Sequence, residues 1–196
     1  MSAQNTRPRA TAASVAGKKD LEARLTQLWT LQEVWTREFL WASACGLKGS
    51  PQRAERLQEV TARIRDNAET LAGLVGQTYG GPLHDAVLEG LVGQFNAVKA
   101  MISALAGGGG AQALQHEVAK GRLAADRFAN RLAGGVRSAD GGAIPDFGPP
   151  LNAEVILWGR QVAAKVAGRA EDELDAWQDT LDVARQLAYS TSTVLS

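Results

Sequence analysis

Residues 21–42, LEARLTQLWTLQEVWTREFLWA, place one set of side chains at alternating steps of four and three residues. The set consists of Leu21, Leu25, Leu28, Gln32, Trp35, Phe39 and Ala42. This spacing is typical of one face of an α-helix. Asp20 can cap the start of the helix, and Gly46 and Gly49 end it. The stretch therefore predicts a long amphipathic helix that buries one face against other elements.

The same periodicity continues along the chain, and the alternation typical of strands is nearly absent. Ser50 and Pro51 predict the N-cap and first turn of a second helix, which the YGGP sequence at 79–82 ends. Later helices are predicted over 82–106, 111–133, 151–168 and 170–194. Gly168 either separates the last two helices or only kinks them. We predict an all-α, single-domain helical bundle of five or six helices over residues 20–196.

Residues 134–150, GGVRSADGGAIPDFGPP, interrupt this pattern because they are rich in Gly and Pro. They predict the longest loop of the domain, and the four glycines at 107–110 predict a hinge. Long loops of compact domains are often functional or mobile, so the 134–150 loop is of functional interest.

The composition indicates a folded globular domain. The chain has 196 residues, of which 45% are hydrophobic and 21% charged, and its formal net charge is zero. A zero net charge does not favour a dedicated nucleic-acid binder, which usually carries a basic excess. No apolar run is long enough to span a membrane. The single cysteine, Cys45, excludes a disulfide scaffold and is expected to be a small buried residue rather than a nucleophile.

The zero net charge combines two unequal parts. Residues 1–19 carry +4 from two arginines and two lysines, and the rest of the chain carries −4. The first segment has few large apolar groups, so we predict a flexible basic tail that could contact nucleic acid, an acidic partner or an anionic surface weakly. It lacks the apolar core of a secretory signal, which favours a cytoplasmic location.

Four polar residues stand in, or beside, the apolar faces of the predicted helices. Gln32 and Asn67 occupy positions on the apolar faces of the first and second helices, and Arg37 lies a little over one turn beyond Gln32. Glu154 lies at the edge of the apolar face of the fifth helix. A buried polar group without a partner costs about 1–3 kcal/mol, so these groups should find partners. Arg37 with Glu154 is the expected ion pair. Either these residues fix the register of the helices, or they line a ligand-binding site.

No motif identifies an enzyme, a metal site or a cofactor. His84 and His116 have no partner at metal-ligand spacing, and the Glu-x-x-His signature of di-iron bundles is absent. The glycines at 107–110 match neither nucleotide-binding loop. The acidic run EDELD at 171–175 is typical of a solvated helix face. We predict no catalytic residue, no metal and no cofactor.

Three tryptophans, Trp29, Trp35 and Trp41, are six residues apart on the first helix, which spreads them around its circumference. Large rings on several faces predict either a central helix surrounded by others or an oligomer contact.

Two segments resemble a family of small helical bacterial proteins whose members have no established function and are often named, unreliably, as glycosyltransferase or acetylglutamate kinase. Leu28-Trp29 with Trp35-Thr36-Arg37 resembles its first-helix motif Leu-Trp-x-x-His-Val-x-Trp-Thr-Arg. The second helix is similar to the family's Arg…Asn…Tyr-Gly segment, through Arg63, Asn67, Tyr79 and Gly80.

The departures from that family concern its histidines. Family histidines fall on Gln32, near Gln94 and on Glu154 in this chain. Amide and carboxylate groups are poorer ligands than imidazole for zinc-type metals, so the resemblance implies a polar core site without a metal here.

Two functions from different classes follow from the sequence. The first is a non-enzymatic helical bundle that acts through protein–protein contacts or self-association, for example as a component of a larger particle. The alternative is a small-molecule-binding protein or diverged enzyme with a polar pocket formed by Gln32, Arg37, Asn67 and Glu154. The absence of catalytic motifs favours the first.

Overall fold

The computed structural model describes residues 12–44, 50–140 and 145–195. Within these ranges the chain forms six helices and no strand, which confirms the all-α bundle. The helices are α1 (Ala12–Ala44), α2 (Pro51–Tyr79), α3 (Gly81–Ala106), α4 (Gly110–Asp140), α5 (Gly148–Val166) and α6 (Ala170–Leu195). None of the helices in the described ranges is long and apolar enough to cross a membrane.

Two predicted boundaries differ from the structure. The first helix begins at Ala12 instead of after Asp20, so residues 12–19 of the predicted tail are helical, and residues 1–11 lie outside the described ranges. The 134–150 loop is shorter than predicted, because α4 continues to Asp140 and α5 already begins at Gly148. Gly135 does not break α4, because it packs against Leu83 where a Cβ atom would overlap the leucine side chain.

Other boundaries match the sequence signals. The Ser50 hydroxyl accepts a hydrogen bond from the Arg53 backbone N–H at 3.2 Å, as expected of an N-cap before Pro51. Gly168 has a φ of +72°, a left-handed conformation that separates α5 from α6. The last two predicted helices are therefore distinct elements, and the bundle has six helices over the described residues.

Each helix packs against its neighbours in the chain, and α6 returns to pack against α1. α1 also contacts α3 and α5, so it packs against four helices. Its buried face is rotated from the predicted stripe: Trp35 and Phe39 are only half-buried, while Trp29, Thr36 and Leu40 are buried. The rotation follows from the position of α6, whose Thr191 accepts a hydrogen bond from the Trp29 indole at 3.3 Å.

Candidate functional site

The predicted polar residues form three separate clusters. Asn67 and Gln32 make the first: the Asn67 side-chain amide donates to Gln32 Oε1 and to the Leu28 carbonyl oxygen, both at 3.0 Å. Both side chains are buried. This neutral pair fixes α2 against α1, which is the register-setting interpretation of the two residues.

Arg37 belongs to a second cluster, and the expected pair of Arg37 with Glu154 is wrong. The Arg37 guanidinium donates to both carboxylate oxygens of Glu173, at 2.9 and 3.1 Å. It also lies 4.8 Å from the Trp177 ring and 5.3 Å from the Trp41 ring. The Arg37 side chain reaches the first turn of α6, which makes the larger contact with α1, whereas Glu154 of α5 pairs with Gln94 and Glu33.

Glu173 is the acidic partner in this α1–α6 cluster. Burial raises the pKa of Glu173, but the hydrogen bonds and charge of Arg37, with the Trp41 indole, bring that pKa below its usual value. The interpretation of residues 171–175 as a solvated helix face is therefore wrong for Glu173, which is buried. It is confirmed for the three other acids, which are exposed: Glu171, Asp172 and Asp175. Only one acid in this run faces inward.

Glu154 belongs to the third cluster, where it meets another carboxyl group. Its Oε2 accepts from the Gln94 amide at 2.6 Å, and Glu33 Oε2 accepts from the Trp158 indole N–H at 2.7 Å. Both glutamates are only 1% exposed. The second oxygens, Glu33 Oε1 and Glu154 Oε1, have no hydrogen-bond donor among the described residues.

A shared proton accounts for these two oxygens. Burial raises the pKa of Glu33 to about 7. Burial, and then the charge and hydrogen bonding of Glu33, raise the pKa of Glu154 well above its usual value. No Arg, Lys or His of the described residues forms an ion pair with either group. Both shifts favour the protonated form, and we infer that the two carboxyl groups share a proton near neutral pH.

Glu33 was missed because it lies beside the predicted stripe. The rotation of α1 that buries Trp29 and Leu40 also turns Glu33 inward, three residues before Thr36. A sequence signal existed, since Trp29, Gln32, Glu33, Thr36 and Leu40 repeat at helical spacing, but it competes with the more apolar stripe through Trp35 and Phe39.

Of five cavities among the described residues, none is lined by Gln32, Glu33, Asn67 or Glu154. Arg37 lines one, an open cleft with Trp41 and Trp177. No group of three or more His, Cys, Asp or Glu side chains suited to a metal ion occurs in the described ranges. Cys45 lies outside those ranges.

One surface groove differs from the core clusters because its charges are unpaired. It runs between α2 and α3, with buried Ile64, Leu91 and Phe95 along its floor and exposed Arg65 and Lys99 on its walls. Among the described residues, no acidic side chain lines it. We call it the α2–α3 groove.

The residues that carry the family resemblance have structural contacts. Arg63 stacks 4.7 Å above the Trp35 ring, and the Tyr79 hydroxyl donates to the Val194 carbonyl oxygen. With Asn67, they join α1, α2 and α6. No protein-family model, curated protein or solved structure matches this chain.

Proposed function

We propose that this protein is a non-enzymatic helical bundle that works in the cytoplasm, or in a particle assembled there, through contacts with other protein molecules. The pairing of the core carries the proposal. Gln32 with Asn67, Arg37 with Glu173, and Glu33 with Glu154 satisfy one another inside the fold. Groups that would bind a ligand are thus already used in holding helices together.

The outer surface supports the same proposal. Its large exposed apolar side chains include Trp41, Val166, Leu174 and Tyr189, which are 41–64% exposed. Trp41 contacts two cations, because Lys165 Nζ is 3.4 Å from its ring centroid and the Arg37 guanidinium carbon is 5.3 Å from it. Partly exposed aromatic side chains, together with arginine, are enriched where proteins bind one another.

Size-exclusion chromatography with light scattering tests this function on the full chain. We expect a mass above that of one chain, or a stoichiometric protein partner that elutes with it. A strict monomer at every concentration, with no partner after purification from its own cell type, would contradict the proposal.

The alternative, a small-molecule site or diverged enzyme, would need Gln32, Arg37, Asn67 and Glu154 to act together. They lie in three clusters, so the geometry supports this alternative less well. Its test is a thermal-shift screen with metabolites and metal ions on wild type and Arg37→Ala. A ligand that raises the melting temperature of the wild type alone would restore it.

A further inference from the structure

The α2–α3 groove combines an apolar floor with two cations that have no acidic partner. Within the described part of the chain neither Arg65 nor Lys99 forms an ion pair, and Lys99 Nζ lies 4.9 Å from the centroid of the Phe95 ring. Two other cations of α2, Arg56 and Arg63, are neutralised by pairing with Glu59. The groove therefore suits an occupant with apolar side chains and free carboxylates.

The outer face of α6 has the complementary character. Leu174 is 45% exposed, and it lies between Glu171 and Asp175, which are exposed and have no ion pair within the described residues. Other acids of this helix are already paired with arginines: Asp172 with Arg169, Asp179 with Arg160 and Asp182 with Arg185. We call Glu171, Leu174 and Asp175 the α6 knob.

The groove and the knob cannot meet within one chain, because α1 lies between them. Trp35 and Phe39 on one side of α1 pack against the groove residues Ile64 and Phe95. Arg37 on another side holds Glu173, next to Leu174 in α6. The two complementary surfaces of a single molecule thus face different directions.

We propose that the α6 knob of one copy docks in the α2–α3 groove of a second copy. Leu174 packs on the apolar floor, and Glu171 and Asp175 pair with Arg65 and Lys99. Because each copy keeps one free groove and one free knob, the contact is head-to-tail and extends into a ring or chain. This inference rests on the proposed function and names its partner as a second copy.

Sedimentation velocity on the full chain, over a range of concentrations at low and high salt, tests the contact. We expect assemblies that shrink as salt rises, because exposed charges are screened. The groove variant (Arg65→Glu with Lys99→Glu) and the knob variant (Leu174→Asp) should each associate roughly tenfold more weakly, or not at all. All changed residues are exposed, and circular dichroism verifies that the variants fold.

Mixing the two variants gives the sharpest result. The knob variant keeps an intact groove and the groove variant keeps an intact knob, so the mixture should form a 1:1 dimer and nothing larger. Both variants carry a net negative charge, so their net charges repel each other and do not favour this dimer. Matched controls on α4, Arg122→Glu with Arg127→Glu and Leu123→Asp, should assemble like the wild type.

Several outcomes overturn the inference. A monomeric wild type overturns it, and the proposed function then survives only if a different protein partner co-purifies. Assembly that persists in the groove variant, or a mixture without a dimer, also overturns it. The inference is also overturned if the Arg7→Gln with Arg9→Gln variant loses assembly while the groove variant keeps it. The basic N-terminal segment, and not the α2–α3 groove, would then bind the acidic α6 face.

Discussion

Two buried carboxyl clusters, one turn apart along α1, neutralise their charge in different ways. Next to α6, the carboxylate of Glu173 is neutralised by a cation, Arg37. Next to α5, Glu154 is neutralised by a proton that it shares with Glu33. The first arrangement lowers the pKa of its carboxyl, and the second raises both pKa values. The stability of the two clusters should therefore depend on pH in opposite directions.

The largest expected effect is a loss of stability with rising pH. The pKa of Glu33 is about 7 in the fold, against 4.5 when exposed. Because the folded value is the higher one, its stabilisation is fully present below about pH 4.5 and is lost as the pH rises through about 7. This single group should lower the free energy of unfolding by about 3 kcal/mol between those limits.

Urea unfolding at intervals from pH 5 to 9 measures this decline. A free energy that stays constant or rises over that range would contradict the shared proton. Glu173 acts in the opposite sense: its pKa is lowered, so its contribution is present above the usual carboxyl range and is lost as the pH falls through the folded value. That loss should appear in acid, below the range in which the Glu33–Glu154 pair titrates.

The second effect concerns the cation. Arg37→Ala leaves the Glu173 carboxylate, whose side chain is 5% exposed, without its bidentate partner. Arg37 is itself one-quarter exposed, so we expect a loss of about 2 kcal/mol at pH 7, below the full cost of breaking a buried pair. The loss should shrink at low pH, where Glu173 becomes protonated.

The matched control for this variant is Arg160→Ala, which removes an exposed pair with Asp179. Its cost should be about 0.5 kcal/mol or less, because water screens that pair. An equal loss in the free energy of unfolding in the two variants would contradict this expectation. The buried Glu173 ion pair, with two tryptophan rings around Arg37, would then stabilise the fold no more than an exposed pair does.

These two clusters also show how far sequence reasoning reaches. Helix type follows from local periodicity and was predicted, whereas the number was predicted only as five or six because Gly168 could separate or merely kink the last two helices. The partner of Arg37 was not, because it depends on how α1 is rotated and on which of its neighbours faces that side. Four acids lie within residues 171–175, and their helical spacing turns only Glu173 inward. Pairing between distant helices is a tertiary property that one amphipathic stripe does not encode.

A third effect separates a shared proton from a simple buried charge. In Glu154→Gln, the new amide oxygen can still accept a hydrogen bond from Gln94. Its amide N–H can donate to Glu33 Oε1, whose only donor in the wild type is the shared proton. The variant should match the wild type near pH 6 and exceed its stability by about 1–2 kcal/mol at pH 9, where the wild-type pair loses protons.

Glu154→Ala is the control for this substitution, because it removes both the carboxyl and the space-filling stem. It should be less stable than the wild type at pH 6, with an unpaired Gln94 amide in the core. If Glu154→Gln were as destabilising as Glu154→Ala at every pH, the proton between the two glutamates would have no role in the fold.

The smallest effect comes from the neutral pair, which serves as the reference for both carboxyl clusters. Asn67→Ala removes the donor to Gln32 and to the Leu28 carbonyl oxygen and leaves both acceptors buried. We expect a loss of about 1–2 kcal/mol that is the same at pH 5 and pH 9, because neither side chain titrates. Thr70→Ala, which changes an exposed hydroxyl on the same helix, should cost less. A pH-dependent loss in Asn67→Ala would mean that the Gln32–Asn67 pair is coupled to the neighbouring Glu33, and the three clusters would then act as one network instead of three.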